Sequence, residues 1–152
     1  MIDLVEEQQG RKRAAGLLAR ATVAELLSCW SSLDTKPNVE KVRGPETGLV
    51  MVRGKIGGGG SPFNLGEATV TRATVKLSTG TIGHAHALGT SRRQAFYAAI
   101  LDALWQEEAT RPLVEEQVLS PVARRMAEQK SQKIRETAAT RVDFFTMVRG
   151  DD

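Results

Sequence analysis

Residues 66–77, GEATVTRATVKL, alternate with a period of two. Thr69, Thr71, Ala73, Val75 and Leu77 fall on one side of an extended chain, and Ala68, Val70, Arg72, Thr74 and Lys76 on the other. Successive side chains of a strand point to opposite faces, so the segment reads as a strand with one face turned to a core. A short way on the period changes. In QAFYAAILDALWQE (94–107), Phe96, Ile100, Ala103 and Leu104 make one stripe at helical spacing, and Tyr97, Leu101 and Trp105 make a second. A helix with two apolar stripes is covered on two sides. One side is expected on the sheet, and the other calls for a second helix or another chain.

Three further segments read as strands: NVEKVRG (38–44), the β-branched TGLVMVRGKI (47–56) and TIGHAHALG (81–89). Ser78-Thr79-Gly80 is a tight turn before the last of them. Short connections between successive strands argue for an antiparallel meander. The N-terminal part is helical. RKRAAGLLARA (11–21) is built from good helix formers, weakened by Gly10 and Gly16. Thr22 and Glu25 then have the spacing of a capping box, and Val23, Leu26, Leu27, Trp30 and Leu33 follow on one helical face until Pro37. Ser91 and Gln94 form a second box. Arg111–Leu119 is ambiguous, and Ser120-Pro121 reads as the cap and first residue of a last helix. The expected fold is therefore α+β: an antiparallel sheet of about four strands packed with helices from both termini. Residues 1–152 are read as one domain, with 120–152 as an extended C-terminal helical arm used in assembly.

Composition narrows the class. With 41% hydrophobic and 26% charged residues, the chain has a globular makeup. No apolar run reaches membrane-spanning length, and Met1-Ile2-Asp3-Leu4-Val5-Glu6-Glu7 lacks a secretory layout, so a cytoplasmic location is expected. The net charge of +3 is concentrated late: Ser120–Arg141 alone carries +4. The single Cys29 lies in an apolar helical stretch and reads as a small buried hydrophobe.

Catalytic signals are thin. GKIGGGGSPF (54–63) has four consecutive glycines, but Lys55 precedes them and strands flank them, so a hairpin loop is the better reading than a phosphate-binding loop. His84 and His86 share a strand face without a visible third metal ligand, and no metal site is expected. Asp102 and Asp143 are single carboxylates without an evident partner, more fit for a cap or a salt bridge than for a general base. Aromatic residues make up 5% and do not alternate with basic ones, which is poor equipment for stacking on single strands. A nucleic-acid-binding module using the basic last helix, and a stand-alone enzyme with an unrecognised site, are the alternatives. The residues themselves point to an interaction subunit, with surplus apolar surface at the 94–107 helix and at the C-terminal string TRVDFFTMVRGDD (140–152), which holds two of the four phenylalanines.

Several pieces carry a resemblance: Glu46-Thr47-Gly48-Leu49-Val50, the strand from Gly66-Glu67-Ala68-Thr69 to Thr71-Arg72-Ala73, Gly80-Thr81 with Gly83, Gly89 with Arg92, Asp102-Ala103-Leu104, and Arg141 to Gly150. Together, in this order, they closely resemble the PhnG family, the G subunit of the bacterial carbon–phosphorus lyase system. The resemblance implies a subunit that works with the H, I and J subunits and the L protein. The assembly is a multi-subunit transferase that forms ribose 1-alkylphosphonate 5-triphosphate from ATP and alkylphosphonate and releases adenine. It implies a structural or activating role, with no catalytic residue and no cofactor bound by this chain, ATP and alkylphosphonate being substrates of the complex. Arg141, Val142, Asp143, Phe144, Phe145, Met147 and Val148 are the expected partner anchor, and Arg72 and Arg92 the candidate phosphate contacts. A homodimer formed by exchange of the C-terminal arm is the expectation for the isolated chain, with no membrane and no nucleic-acid partner.

Overall fold

The computed structural model describes residues 2–57 and 59–140, with side chains from Val5 onward. Two helices, α1 (Ile2–Leu18) and α2 (Val23–Ser32), lead into β1 (Val39–Lys55), β2 (Pro62–Leu77) and β3 (Ile82–Leu88). Helix α3 (Arg92–Gln106) follows, and then a helical run made of α4 (Arg111–Val114), a wider π turn (Glu115–Leu119) and α5 (Ser120–Ala139). The strands form one antiparallel sheet in the order β1-β2-β3. The α+β class and the antiparallel meander agree with the sequence reading, but the described sheet has three strands rather than about four.

The difference arises at Gly44-Pro45. Residues 38–44 and 47–56, read as two strands, lie on one long strand that pairs with β2 along its length. Register shifts between Lys41 and Arg43 and between Arg43 and Glu46 absorb the irregular pair without breaking the ladder. Gly44 has φ 67°, and a side-chain carbon there would lie 2.6 Å from the Glu46 nitrogen and 2.9 Å from the Arg72 carbonyl oxygen. Glycine and proline thus make a bulge on an edge strand, where a missing donor is tolerated.

The core lies between one sheet face and α3. The covered face carries Thr71, Ala73, Val75 and Leu77 from β2 and the small Gly83, Ala85 and Ala87 from β3. Small residues let the helix come close. A side-chain carbon at Gly83 would run into the Ala99 carbonyl oxygen and lie 2.7 Å from the Ala103 nitrogen. The second stripe of α3 needs no other chain. Buried residues of α1 and α2 (Ala14, Leu18, Leu26, Cys29) and Val114, Val118, Leu119 and Val122 enclose it. The Trp105 ring lies over Gly10, and its indole N–H donates to Glu115 Oε1 at 2.8 Å.

Both expected caps exist, one of them altered. Thr22 and Glu25 satisfy each other's backbone N–H, at 3.2 and 2.7 Å. Ser91 accepts from the Gln94 N–H at 3.2 Å, but the Gln94 amide donates instead to the carbonyls of Ala19 and Ala21, closing the end of α1. Ser120-Pro121 opens α5 as read, but Ser120 is not a cap, because no break separates α5 from the turn before it. Val114, Leu119 and Ser120 all have helical dihedrals, so the run continues through them, and the Ser120 N–H bonds to the Glu115 carbonyl five residues back. The widened turn accommodates a proline whose ring would crowd a regular α turn and which has no N–H to give.

Candidate functional site

Three regions are candidates for a functional site. The first is the buried carboxylate of α3. Asp102 is 1% exposed. Its Oδ2 accepts from Arg11 Nη2 and from the His84 backbone N–H, both at 2.9 Å, and from Gln106 Nε2 at 3.4 Å. Gln106 also donates to the Ile82 carbonyl at 2.8 Å. The outer edge of β3, otherwise an open row of backbone groups, is thus closed by α3 and α1 side chains. A groove of about 460 Å³ runs alongside, lined by Arg11, Leu18, His84, His86 and Asp102 among others. A carboxylate held by a guanidinium and a backbone donor is organised to fix α1, α3 and β3 together. Among the described residues it has no hydrogen-bonded partner arranged to relay a proton.

The second region is the sheet face turned away from α3. Strand register sets Glu46 opposite Arg72 and Arg72 opposite His86, with Thr74 opposite His84 in the next row. Glu46 Oε1 accepts from Arg43 Nε and Arg72 Nε, both at 2.7 Å. The Arg43 bond and then the Arg72 bond hold the Glu46 carboxyl below its ordinary pKa. His84 Nδ1 pairs with Thr74 Oγ1 at 3.0 Å. The two histidines share one strand face as expected, that face is exposed, and among the described residues no group of three His, Cys, Asp or Glu is arranged to hold a metal ion. A hollow of about 320 Å³ lies here, bordered by Glu46, Val50, Val70, Arg72 and His86. The Nη ends of both arginines make no hydrogen bond among the described residues, which leaves them able to meet an oxyanion. Arg92 is exposed on the first turn of α3, in the other layer, so the fold does not bring the two candidate phosphate contacts together.

The third region was not legible as a site. Beyond Val70 the sheet has only two strands, because β3 pairs with β2 from Val70 to Lys76 and no further. β1 and β2 continue as a ribbon to the glycine loop, with Lys55 opposite Pro62. The loop is the tip of a hairpin, as read. Gly57 has φ 64°, and a side chain at Gly60 would meet the Ile56 carbonyl. On the ribbon Leu49, Met51, Ile56 and Leu65 are 63%, 56%, 77% and 66% exposed, and Val50, Val52 and Phe63 are exposed as well. Among the described residues the surplus apolar surface therefore lies here, not on α3. The available signal was the unbroken run Leu49-Val50-Met51-Val52: four apolar residues in succession on a strand are apolar on both faces.

Other expectations find their places. Cys29 is fully buried, and burial pushes its thiol up to about 11. The last helix is exposed from Ala127 to Ala139, but Arg125 is held by Glu25 and by the Arg20 carbonyl, and the exposed stretch mixes Glu128 and Glu136 with Lys130, Lys133 and Arg135. That mixture is a weak electrostatic footprint for nucleic acid. No helix among the described residues is long and apolar enough to cross a membrane. Asp143 and the expected anchor, Arg141, Val142, Asp143, Phe144, Phe145, Met147 and Val148, lie outside the described residues.

Comparison with known proteins bears on all three regions at once. Residues 9–150 match the family model described as phosphonate metabolism protein PhnG. The chain is 61% identical over 142 residues to a Rhizobium meliloti protein named alpha-D-ribose 1-methylphosphonate 5-triphosphate synthase subunit PhnG, covering 93% of this chain and 90% of the relative. At that identity and coverage the core residues, the bulge and the ribbon all fall within the shared region, and the chain belongs to the PhnG family of phosphonate metabolism proteins.

Proposed function

We propose that this chain is the G subunit of a synthase that makes ribose 1-alkylphosphonate 5-triphosphate, and that its contribution is structural or activating. In the reaction a phosphonate oxygen forms a bond to the ribose C1′ of ATP as the bond from C1′ to adenine breaks. Adenine leaves with a proton, and the triphosphate stays on the ribose. The observation that carries the reading is the 61% identity to a relative named as a subunit of such a synthase. The geometry supports a non-catalytic part: Asp102 is committed to Arg11 and the β3 backbone, and the Cys29 thiol is buried and protonated at neutral pH.

The partners proposed are the H, I and J subunits and the L protein, acting in the cytoplasm on ATP and alkylphosphonate, with no cofactor bound by this chain. Arg72, and separately Arg92, are proposed to meet phosphate groups at subunit boundaries. Residues 120–152 are proposed as the assembly arm of a single domain, with Arg141–Val148 as its anchor, and exchange of that arm would pair two copies in the isolated protein.

The test is reconstitution. Adenine release from ATP and methylphosphonate is measured with the H, I, J and L proteins, with and without this chain, and with this chain alone. Activity only when the chain joins the others is expected. Release by the isolated chain would overturn the non-catalytic assignment, and undiminished activity without it would overturn the subunit assignment. A chain ending at Thr140 is expected to lose assembly.

A further inference from the structure

Past Gly48 and Val70 the sheet has no third strand among the described residues, yet it keeps its apolar residues. Strand register divides them between two faces. Leu49 and Met51 continue the side of the buried Thr71, whereas Val50 and Val52, opposite Ala68 and Gly66, continue the side of Arg72. Among the described residues both edges are open too: β1 pairs only with β2, and the outer edge of β2 before Thr69 faces no strand. A two-stranded ribbon is marginal by itself in water, and a large bare apolar surface marks an interaction site.

We propose that the β1–β2 ribbon between Leu49 and Leu65 is an insertion arm that seats in an apolar cleft on a different subunit of the synthase. This rests on the reading of the chain as a synthase subunit. Three observations choose that occupant. First, apolar residues on opposite faces need walls on both sides, so a flat docking surface would leave one set in water. Second, an isologous pair of copies stacks one like face or joins one like edge, and so also leaves the other face bare. Third, the charged residues between Leu49 and Leu65 are Arg53 and Lys55, both basic and both near the tip. The cleft that fits has apolar walls and carboxylates where the tip arrives. The glycine tip, with few side chains, is slim enough to lead the entry.

The test uses the full chain co-expressed with the other subunits of its synthase, sized by analytical ultracentrifugation, beside Leu49→Asp and Val50→Asp, one on each face. A photo-crosslinking residue at Met51 reports the occupant. Each variant is expected to weaken incorporation at least tenfold while the isolated variants unfold at the wild-type temperature, and Met51 is expected to cross-link to a different subunit. Unchanged incorporation of both variants, or a response from one face alone, overturns insertion. A cross-link to a second copy or to this chain's own C-terminal segment overturns the choice of occupant. If the wild-type chain enters no assembly, the subunit reading itself fails, an outcome separate from wild type and variants entering equally well.

Discussion

Helix α3 and the β1–β2 ribbon each carry a long apolar run, and the fold treats them oppositely. Nine residues of α3 are buried, and its two stripes are covered by the sheet on one side and by helices of the same chain on the other. The ribbon carries as strong an apolar run, and its large residues stay exposed. Apolar content alone therefore does not tell core from interface. What separates them is the number of faces to be covered and whether the chain supplies elements to cover them. α3 sits between two layers, whereas the ribbon runs past the ends of both.

The sharpest break in the comparison is at the contact of β3 with α3. Gly83→Val forces a branched side chain into the Ala99 backbone, and a loss of about 3 kcal/mol or more is expected, with failure to fold as the extreme. Denaturant unfolding measures it. Next comes Asp102→Ala, which strips the Arg11 guanidinium and the His84 N–H of their acceptor. Arg11 is partly exposed and can be rehydrated, so about 2–3 kcal/mol is expected rather than the full cost of breaking a buried pair. Hydrogen exchange at the His84 amide should quicken in that variant.

A smaller effect belongs to Glu25. Burial alone would raise its pKa, but the Thr22 N–H and the Arg125 guanidinium outweigh this and hold it below 4.5. A carboxylate with a lowered folded pKa contributes stability that is present above its unfolded value and lost as pH falls through the folded one. Glu25→Gln is therefore expected to cost about 0.5–1 kcal/mol at pH 7, and the gap from wild type should close as pH drops below 4.5. Stability curves against pH check it. The smallest effect is on the ribbon. Leu49→Ser and Val50→Ser are expected to move the isolated chain's stability by no more than about 0.5 kcal/mol, since these side chains contribute little to its core. A large loss in either would show that the ribbon is covered within the chain and would remove the contrast with α3.

Much of this was legible because it is local. The period-two pattern of residues 66–77, the two stripes of 94–107, the Thr22–Glu25 cap, the Ser78-Thr79-Gly80 turn and the shared face of His84 and His86 depend on backbone geometry within a few residues. The failures share one cause, a distant partner overriding a local signal. Gly44-Pro45 resembled a strand end, but β2 holds the chain in register on both sides of it. Gln94 had the spacing to complete a capping box and was drawn away by the carbonyls of Ala19 and Ala21. Arg11 could not be matched to Asp102 by spacing, because the two are 91 residues apart.

The α+β class, the antiparallel meander and the placement of its chemistry on strands and helices follow from the linear pattern, because hydrophobic period and capping act over one or two turns of chain. Which of the described apolar surfaces is core and which is exposed, that Asp102 closes the edge of β3, and that Arg72 and Arg92 lie in different layers emerge from the packing of distant segments. Burial is a property of what arrives from elsewhere in the chain, and a linear pattern does not carry that information.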